Sequence, residues 1–213
     1  MEPKSGNIKV TRTARYFTLG DNTLPLQTVV YVLHGYGMSA KEFIAQFECL
    51  VKPGVMIVAP EGLSRFYRKG FSGDVIASWM TKEDRLAEIE DYVGYLDSLH
   101  RLVVSGKDVI TIVLGFSQGV ATASRWLYKG AVQISDFIVW CGEFAVESDK
   151  VPLKLPVIRH VFAHHDTFIT PEQVEKQSLR LRSLGGEVYN YGFDGGHIID
   201  NPTLLTVFRD AGI

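Results

Sequence analysis

Six short apolar runs, separated by stretches with helical patterning, constrain the fold of this 213-residue chain more than any other feature. Each run is rich in Val, Ile and Leu without alternating polar residues, which is typical of strands buried on both faces of a parallel sheet. The runs span residues 28–33, 55–59, 109–114, 137–141, 157–163 and 188–191. The sequence therefore predicts an α/β fold with a mainly parallel central sheet and helices on both of its faces.

The clearest helical pattern lies at 82–104, where Leu86, Ile89 and Val93 recur at three- and four-residue steps. Thr81 is the predicted N-cap of this helix, and Asp84 completes an approximate capping box. Residues 8–19 alternate loosely and predict one bent strand or two short ones, closed by a turn at 20–22. Further helices are predicted at 39–51, 120–128, 171–184 and 202–210.

The stretch at 61–80 has no clear period and is predicted to be a long loop. It leaves the end of a predicted strand, where α/β proteins bind ligands, so we expect it to cover a site. Its aromatic residues Phe66, Tyr67 and Trp79 are candidates for substrate binding. The alternative is a surface loop whose aromatic side chains only pack on the body.

Composition narrows the class of protein. A hydrophobic share of 46% over 213 residues fits one domain, 1–213, with a sizeable core. The net charge of -2, with no long basic run, argues against nucleic acid as a partner. Cys141 lies in an apolar run and Cys49 is the other cysteine, so free thiols and a cytoplasmic location are expected. No signal core and no apolar stretch of membrane-spanning length is present.

The run at 109–114 continues into Gly115-Phe-Ser117-Gln-Gly119 and then into a predicted helix. Gly-x-Ser-x-Gly between a strand and a helix is the sequence form of a nucleophile elbow, a sharp turn that exposes a serine hydroxyl. Chance supplies the pentapeptide about one time in ten, so its context carries the argument. Ser117 is the candidate nucleophile, and a glycine-rich turn without chemistry is the alternative.

A serine nucleophile needs a base and an acid that orients the base. His197 follows two glycines after the last predicted strand, where the chain can bend over the sheet, although it could also be an exposed turn histidine. Asp166 ends an earlier strand and gives the order serine, aspartate, histidine. Glu143 also follows a strand and is the second candidate for the acid.

The sequence also bears on metals and on the oxyanion. His164 and His165 precede Asp166, but adjacent residues of a strand point to opposite faces, so no metal or other cofactor is expected. Backbone N–H groups of Gln118 and Tyr36 are the predicted oxyanion donors. His34, which follows the predicted strand at 28–33, is expected to brace the loop that carries Tyr36.

With these pieces in order, the chain resembles the α/β-hydrolase superfamily, and within it the phospholipase/carboxylesterase group that includes acyl-protein thioesterases. The resemblance implies a triad of Ser117, Asp166 and His197, with Gln118 as an oxyanion donor, and Trp79 resembles the tryptophan near the site in that family. The chain departs from the family at Met38, where an aspartate is common, and at Val120, where a glycine is common. The motifs that carry the resemblance are Leu-His-Gly at 33–35, Ala-Pro-Glu-Gly at 59–62, Gly-Phe-Ser-Gln-Gly at 115–119, the Asp166 loop and Gly-Gly-His at 195–197.

Together the motifs predict a serine carboxylesterase that hydrolyses small to medium acyl esters through an acyl-enzyme intermediate. The expected partner is a small ester or thioester. One alternative has the same chemistry on acylated proteins or lysophospholipids. A second alternative is a non-catalytic binding protein on the same scaffold, since a fold does not determine a function.

Overall fold

The computed structural model describes residues 2–20, 25–145 and 155–213, and within them strands and helices alternate as the sequence predicts. The strands are β1 (Tyr16–Gly20), β2 (Thr28–Leu33), β3 (Val55–Pro60), β4 (Ser64–Tyr67), β5 (Val75–Ser78), β6 (Ile110–Phe116), β7 (Asp136–Trp140), β8 (Val157–Ala163) and β9 (Val188–Phe193). The helices are α1 (Ala40–Ala45), α2 (Arg85–Val104), α3 (Gln118–Lys129), α4 (Pro171–Ser183) and α5 (Asn201–Asp210), with a 3-10 helix at Glu48–Leu50.

Seven of these strands form one sheet in the order β1-β3-β2-β6-β7-β8-β9. β1 runs antiparallel to β3, and the other neighbours are parallel. This arrangement confirms the predicted mainly parallel sheet. Since parallel strands end at the same edge, the segments that follow β2, β6, β7, β8 and β9 meet there.

Helices cover both faces of the sheet, so the side chains of β2 pack into two hydrophobic cores. Val29, Tyr31 and Leu33 belong to a core on one face, while Val30 and Val32 belong to a core on the other. The first core includes Ile89, Tyr92, Leu96 and Trp126 of α2 and α3, and the second includes Phe43, Ile44, Leu204 and Phe208 of α1 and α5. Burial on both faces favours apolar side chains along the whole strand.

The N-terminal region differs from its prediction. Of the predicted strand or strands at 8–19, only the end is a strand, β1, and residues 8–15 form neither strand nor helix. Part of the predicted turn at 20–22 lies outside the described residues. The predicted helix at 39–51 is shorter, since α1 ends at Ala45 and a separate 3-10 helix follows.

The start of α2 also differs from its prediction. The helix begins at Arg85, and the preceding Asp84 has φ 45° and makes no side-chain cap. The hydroxyl of Thr81 accepts from the N–H of Glu83 at 3.2 Å, while the N–H of Thr81 donates to the carboxylate of Glu88. Thr81 therefore organises the turn before the helix and does not cap it. Within the described ranges, no helix combines the length and the apolar character that crossing a membrane requires.

The region predicted as a long loop, 61–80, contains an antiparallel hairpin of β4 and β5. Contacts with the turn after β2 hold the hairpin in place. Gly37 N–H donates to Ala77 O at 2.9 Å, and Ala77 N–H donates to Met38 O at 3.0 Å. The loop prediction was wrong because the two strands are only four residues long and leave no clear period in the sequence.

Candidate active site

The predicted site residues meet at the carboxyl edge of the parallel strands. Ser117 follows β6, Asp166 lies in the loop after β8, and His197 lies in the loop after β9. Paired strands end together at this edge: Phe116 is in register with Trp140, and Ala163 with Phe193. Residues far apart in sequence are therefore delivered to one place by the sheet.

Ser117 occupies a sharp turn between β6 and α3. Its φ of 55° and ψ of −118° are rare for a residue with a side chain. The turn brings α3 so close to β2 that a Cβ on Gly119 would lie 2.1 Å from the carbonyl oxygen of Leu33. A Cβ on Gly115 would lie 2.6 Å from the carbonyl oxygen of Gly119. Both glycines are therefore required by space, and the strained serine has the backbone form of an elbow.

His197 and Asp166 form a short polar contact in the site. Nδ1 of His197 lies 2.7 Å from Oδ2 of Asp166, whose side chain is fully buried. Oδ1 of Asp166 accepts from the N–H groups of Phe168 at 2.7 Å and Ile169 at 3.3 Å. Burial favours the neutral carboxyl, but the hydrogen bonds from His197 and Phe168 outweigh it, so the pKa of Asp166 lies below its ordinary value. A charged Asp166 therefore orients the imidazole.

The imidazole of His197 lies between two aromatic rings. The ring centroids of Phe116 and Phe168 are each 4.7 Å from that of His197. Oγ of Ser117 makes no hydrogen bond within the described part of the chain, to His197 or otherwise. In active sites of this kind the contact between nucleophile and base often forms only when substrate is bound.

Glu143, the second candidate for the acid, is exposed and makes no hydrogen bond to His197 within the described residues.

The carboxylate of Asp166 also contacts a cysteine thiol. The buried Cys141, which has φ 46°, lies with its thiol against that carboxylate. Burial raises the pKa of the Cys141 thiol, which keeps it protonated and able to donate to Asp166. The sequence predicts a buried free thiol at Cys141 but not its contact with Asp166.

The predicted oxyanion donors lie on two turns. Neither the N–H of Gln118 nor that of Tyr36 has an acceptor among the described residues. Buried His34 braces the second turn, as expected. Its Nε2 accepts from the N–H of Gly62 at 3.0 Å, and its Nδ1 lies 2.8 Å from the carbonyl oxygen of Gly35. Burial lowers the pKa of His34, so its ring is neutral.

The side chain of Gln118 joins the elbow to the β4–β5 hairpin. Its Oε1 accepts from the N–H of Trp79 at 3.2 Å, and its Nε2 donates to the carbonyl oxygen of Met80 at 2.9 Å. The indole of Trp79 is buried, stacks on His34 and donates to the His34 carbonyl at 2.8 Å. Trp79 therefore holds the two turns in place.

The other predicted substrate-binding residues, Phe66 and Tyr67, are partly exposed on β4. The ring of Phe66 lies 5.8 Å from that of the exposed Tyr36. A cavity of about 480 Å³ opens beside Ser117 and is lined in part by α4, whereas Phe66, Tyr67 and Trp79 do not line it. Their role in substrate binding stays a prediction.

The wall of this cavity combines apolar and charged side chains. It consists of Cys141, Gly142, Glu143, Phe144, Phe168, Ile169, Gln173, Lys176, Gln177, Arg180 and Leu181, next to Ser117. The sequence did not predict that side chains of α4 form part of the cavity wall. The only available signal was the spacing of 173, 176, 177 and 180, which places these polar residues on one helical face.

One set of groups in the described chain has the spacing of metal ligands. The donor atoms of Cys141, Asp166 and His197 all lie within 4.8 Å of one another. The short bond between His197 and Asp166 and the protonated Cys141 thiol suit hydrogen bonding better than metal ligation. The neighbouring His165 points elsewhere and pairs with Asp194 at 2.9 Å. The absence of a metal stays a prediction.

No family model matches the sequence, and no curated protein does either. Solved structures are similar in fold. Esterase PE8 has a TM-score of 0.71 and 22% identity, covering 94% of this chain and 99% of that one. Zea mays acyl-protein thioesterase 2 has a TM-score of 0.68 and 16% identity, covering 94% and 98%. A phospholipase/carboxylesterase from Dyadobacter fermentans has a TM-score of 0.66 and 16% identity, covering 95% and 98%. The likeness confirms the α/β-hydrolase fold expected from the motifs.

Proposed function

We propose that this protein is a serine hydrolase of carboxylic esters that works through an acyl-enzyme intermediate. The observation that carries the proposal is the 2.7 Å bond between His197 and Asp166, at the same sheet edge as the strained Ser117 elbow. Non-catalytic binding would require neither a buried carboxylate on an imidazole nor a serine in strained backbone. The proposal takes residues 1–213 as one domain and a cytoplasmic location, which the free thiols of Cys49 and Cys141 suit.

In the first half of the reaction, Oγ of Ser117 attacks the carbonyl carbon of the ester, and its proton passes to Nε2 of His197. The negative charge that develops on the carbonyl oxygen is stabilised by the N–H groups of Gln118 and Tyr36. When the tetrahedral intermediate collapses, the bond to the leaving oxygen breaks and His197 returns the proton to that oxygen. The products are a free alcohol and an acyl group on Ser117.

In the second half, His197 takes a proton from a water molecule, whose oxygen attacks the acyl carbon. Collapse of this intermediate releases the carboxylic acid and restores the hydroxyl of Ser117. Throughout the cycle, Asp166 accepts from Nδ1–H of His197 and so keeps Nε2 free to take the proton. Its carboxylate also stabilises the imidazolium form that each half-reaction passes through.

The cavity supports small to medium acyl groups as substrates. Its volume of about 480 Å³ lies in the range of small-molecule sites. Phe144, Ile169 and Leu181 supply apolar wall, but Lys176 and Arg180 interrupt it. A long lipid chain would therefore place methylene groups against charged side chains.

The first prediction concerns the nucleophile. Ser117→Ala is expected to lower kcat for p-nitrophenyl butyrate by at least about a thousandfold, because the covalent step disappears. Ser98→Ala, which removes an exposed hydroxyl on α2, is the matched control and should retain wild-type kcat. A fluorophosphonate probe should label the wild type and the control but not Ser117→Ala. Equal turnover by Ser117→Ala and wild type would overturn the proposal.

A further inference from the structure

The cavity wall formed by α4 offers positive charge and hydrogen-bond donors. Lys176 and Arg180 are one helical turn apart and both line the cavity. Neither forms an ion pair within the described residues, whereas Arg182 of the same helix lies 4.0 Å from Glu175. Two unpaired cations in the wall of a cavity beside a nucleophile favour a ligand that carries negative charge.

Two glutamines of the same helix add hydrogen-bonding capacity. Oε1 of Gln173 accepts from the N–H of Thr170 at 2.8 Å, which leaves its amide NH2 as the free end. The amide oxygen of Gln177 is buried and has no partner among the described residues. Rotation of this amide by a half turn would present its NH2 group instead. The α4 wall can therefore offer several donors to an anion.

The rest of the cavity defines the shape of such a ligand. Phe144, Phe168, Ile169 and Leu181 form apolar surface in the cavity that Ser117 and the two cations also line. The one acidic residue of the described wall is Glu143, which is exposed. A carbon chain fits the apolar part, and an anionic group at its far end would meet the α4 side chains.

We propose that this cavity binds a carboxylate carried by the substrate and held by Lys176 and Arg180, so that the preferred esters bear a negative charge beyond the scissile bond. The inference rests on the proposed ester hydrolysis at Ser117 and specifies its substrate class. The carboxylate can belong to the acyl part, as in a monoester of a dicarboxylic acid, or to the alcohol part. The chemistry that recognises it is the same in both cases.

The test compares two matched pairs of esters by kcat/KM. The acyl pair is the p-nitrophenyl monoester of adipic acid and the same ester with its terminal carboxylate replaced by a neutral amide. The alcohol pair is 4-carboxyphenyl butyrate and 4-carbamoylphenyl butyrate. The wild type is expected to prefer the charged member of one pair by about three- to tenfold, and the pair that shows the preference identifies which part of the substrate enters the cavity.

Variants of the cavity connect this preference to its cause. Lys176→Met and Arg180→Met are each expected to lower the ratio of kcat/KM for the charged ester to kcat/KM for its neutral partner by about three- to fivefold, mainly through a higher KM for the charged ester. The double variant should lose the preference, and Glu143→Gln should increase it. Lys41→Met, an exposed lysine of α1 with the same change in net charge, should retain the wild-type ratio. Added salt should weaken the preference of the wild type and leave the ratio of the double variant unchanged.

Two results would overturn the inference: equal kcat/KM for charged and neutral esters in both pairs, or a preference that persists in the double variant. Either result leaves the proposed function intact as long as the neutral esters are hydrolysed by the wild type and not by Ser117→Ala. If no ester is hydrolysed in a Ser117-dependent manner, the proposed function itself fails.

Discussion

At the scale of single residues, the elbow depends on the absence of side chains. The carbonyl oxygen of Leu33 occupies the space where a Cβ of Gly119 would lie, and that oxygen belongs to a fully buried strand that cannot move away. An added methyl group would therefore have to displace α3 from the sheet. The strain of Ser117 and the missing side chain of Gly119 are parts of one turn.

We expect Gly119→Ala to lower the free energy of unfolding by about 2 to 4 kcal/mol, because the methyl group overlaps main-chain atoms. Gly94→Ala on α2 is the matched control: a Cβ there meets no atom within 4 Å. Since alanine favours a helix over glycine, the control should raise stability by about 0.5 to 1 kcal/mol. Urea unfolding measures both. Equal midpoints for Gly119→Ala and wild type would contradict the close approach.

At the scale of elements, the segment before β1 is joined to the end of β3 by a charged pair. Arg15 donates to both carboxylate oxygens of Glu61, at 2.8 and 2.9 Å, and the side chain of Glu61 is buried. The carbonyl oxygen of Arg15 accepts from the N–H of Glu61 and from the hydroxyl of Tyr95 on α2. Arg15 thus joins β1, the start of the hairpin region and α2.

Arg15→Met should lower the free energy of unfolding by about 2 kcal/mol, because it leaves the buried Glu61 carboxylate unpaired. The loss is no larger because Arg15 is half-exposed, so that solvent already screens the ion pair. In the double variant Arg15→Met, Glu61→Gln, the neutral amide removes the unpaired charge and should recover part of this loss. Urea unfolding of the wild type, both single variants and the double variant gives the coupling energy. A coupling energy of zero would mean that the pair does not hold these elements together.

The accuracy of the sequence prediction varied with the kind of contact that forms each element. The runs at 28–33 and 157–163 match β2 and β8 to the residue, because burial on both faces leaves a mainly apolar signal. The hairpin was missed because its two strands are only four residues long and show no clear alternation of apolar and polar residues. The polar wall of α4 was missed because residues such as Lys176 and Arg180 have the same pattern on a helix that faces solvent. The motifs predicted the candidate catalytic residues, whereas the cavity depends on how side chains from several elements pack together.

At the scale of the whole molecule, three histidines are kept neutral by the core. Burial lowers the pKa of His34 and of His100, and it lowers the pKa of His160 to about 4. His160 is fully buried, with Nδ1 3.1 Å from the hydroxyl of Ser178, and its Nε2 has no partner among the described residues. A proton on His160 would therefore put an unpaired charge inside the protein.

These shifts predict a loss of stability in mild acid. Between pH 6.5, the ordinary value for histidine, and about 4, the unfolded chain binds a proton that folded His160 does not, so the free energy of unfolding falls as pH falls. The contribution of His160 over this window is on the order of 3 kcal/mol. His160→Gln should be less stable than wild type at pH 7 but should lose less stability on acidification. Urea unfolding at several pH values measures both slopes, and parallel slopes would contradict the assignment.

The elbow that carries Ser117 and the α4 wall of the cavity differ in how well they tolerate amino-acid substitutions. In the elbow, a side chain at Gly115 or Gly119 would overlap main-chain atoms, so substitution of either glycine threatens the fold. Lys176 and Arg180 of α4 line the cavity but are exposed, so they can be exchanged at little cost to folding. An engineer who wished to redirect this scaffold to a new substrate should therefore randomise Lys176 and Arg180 and leave the glycine turn untouched, because selectivity can be varied at these two positions while the reactive centre stays intact.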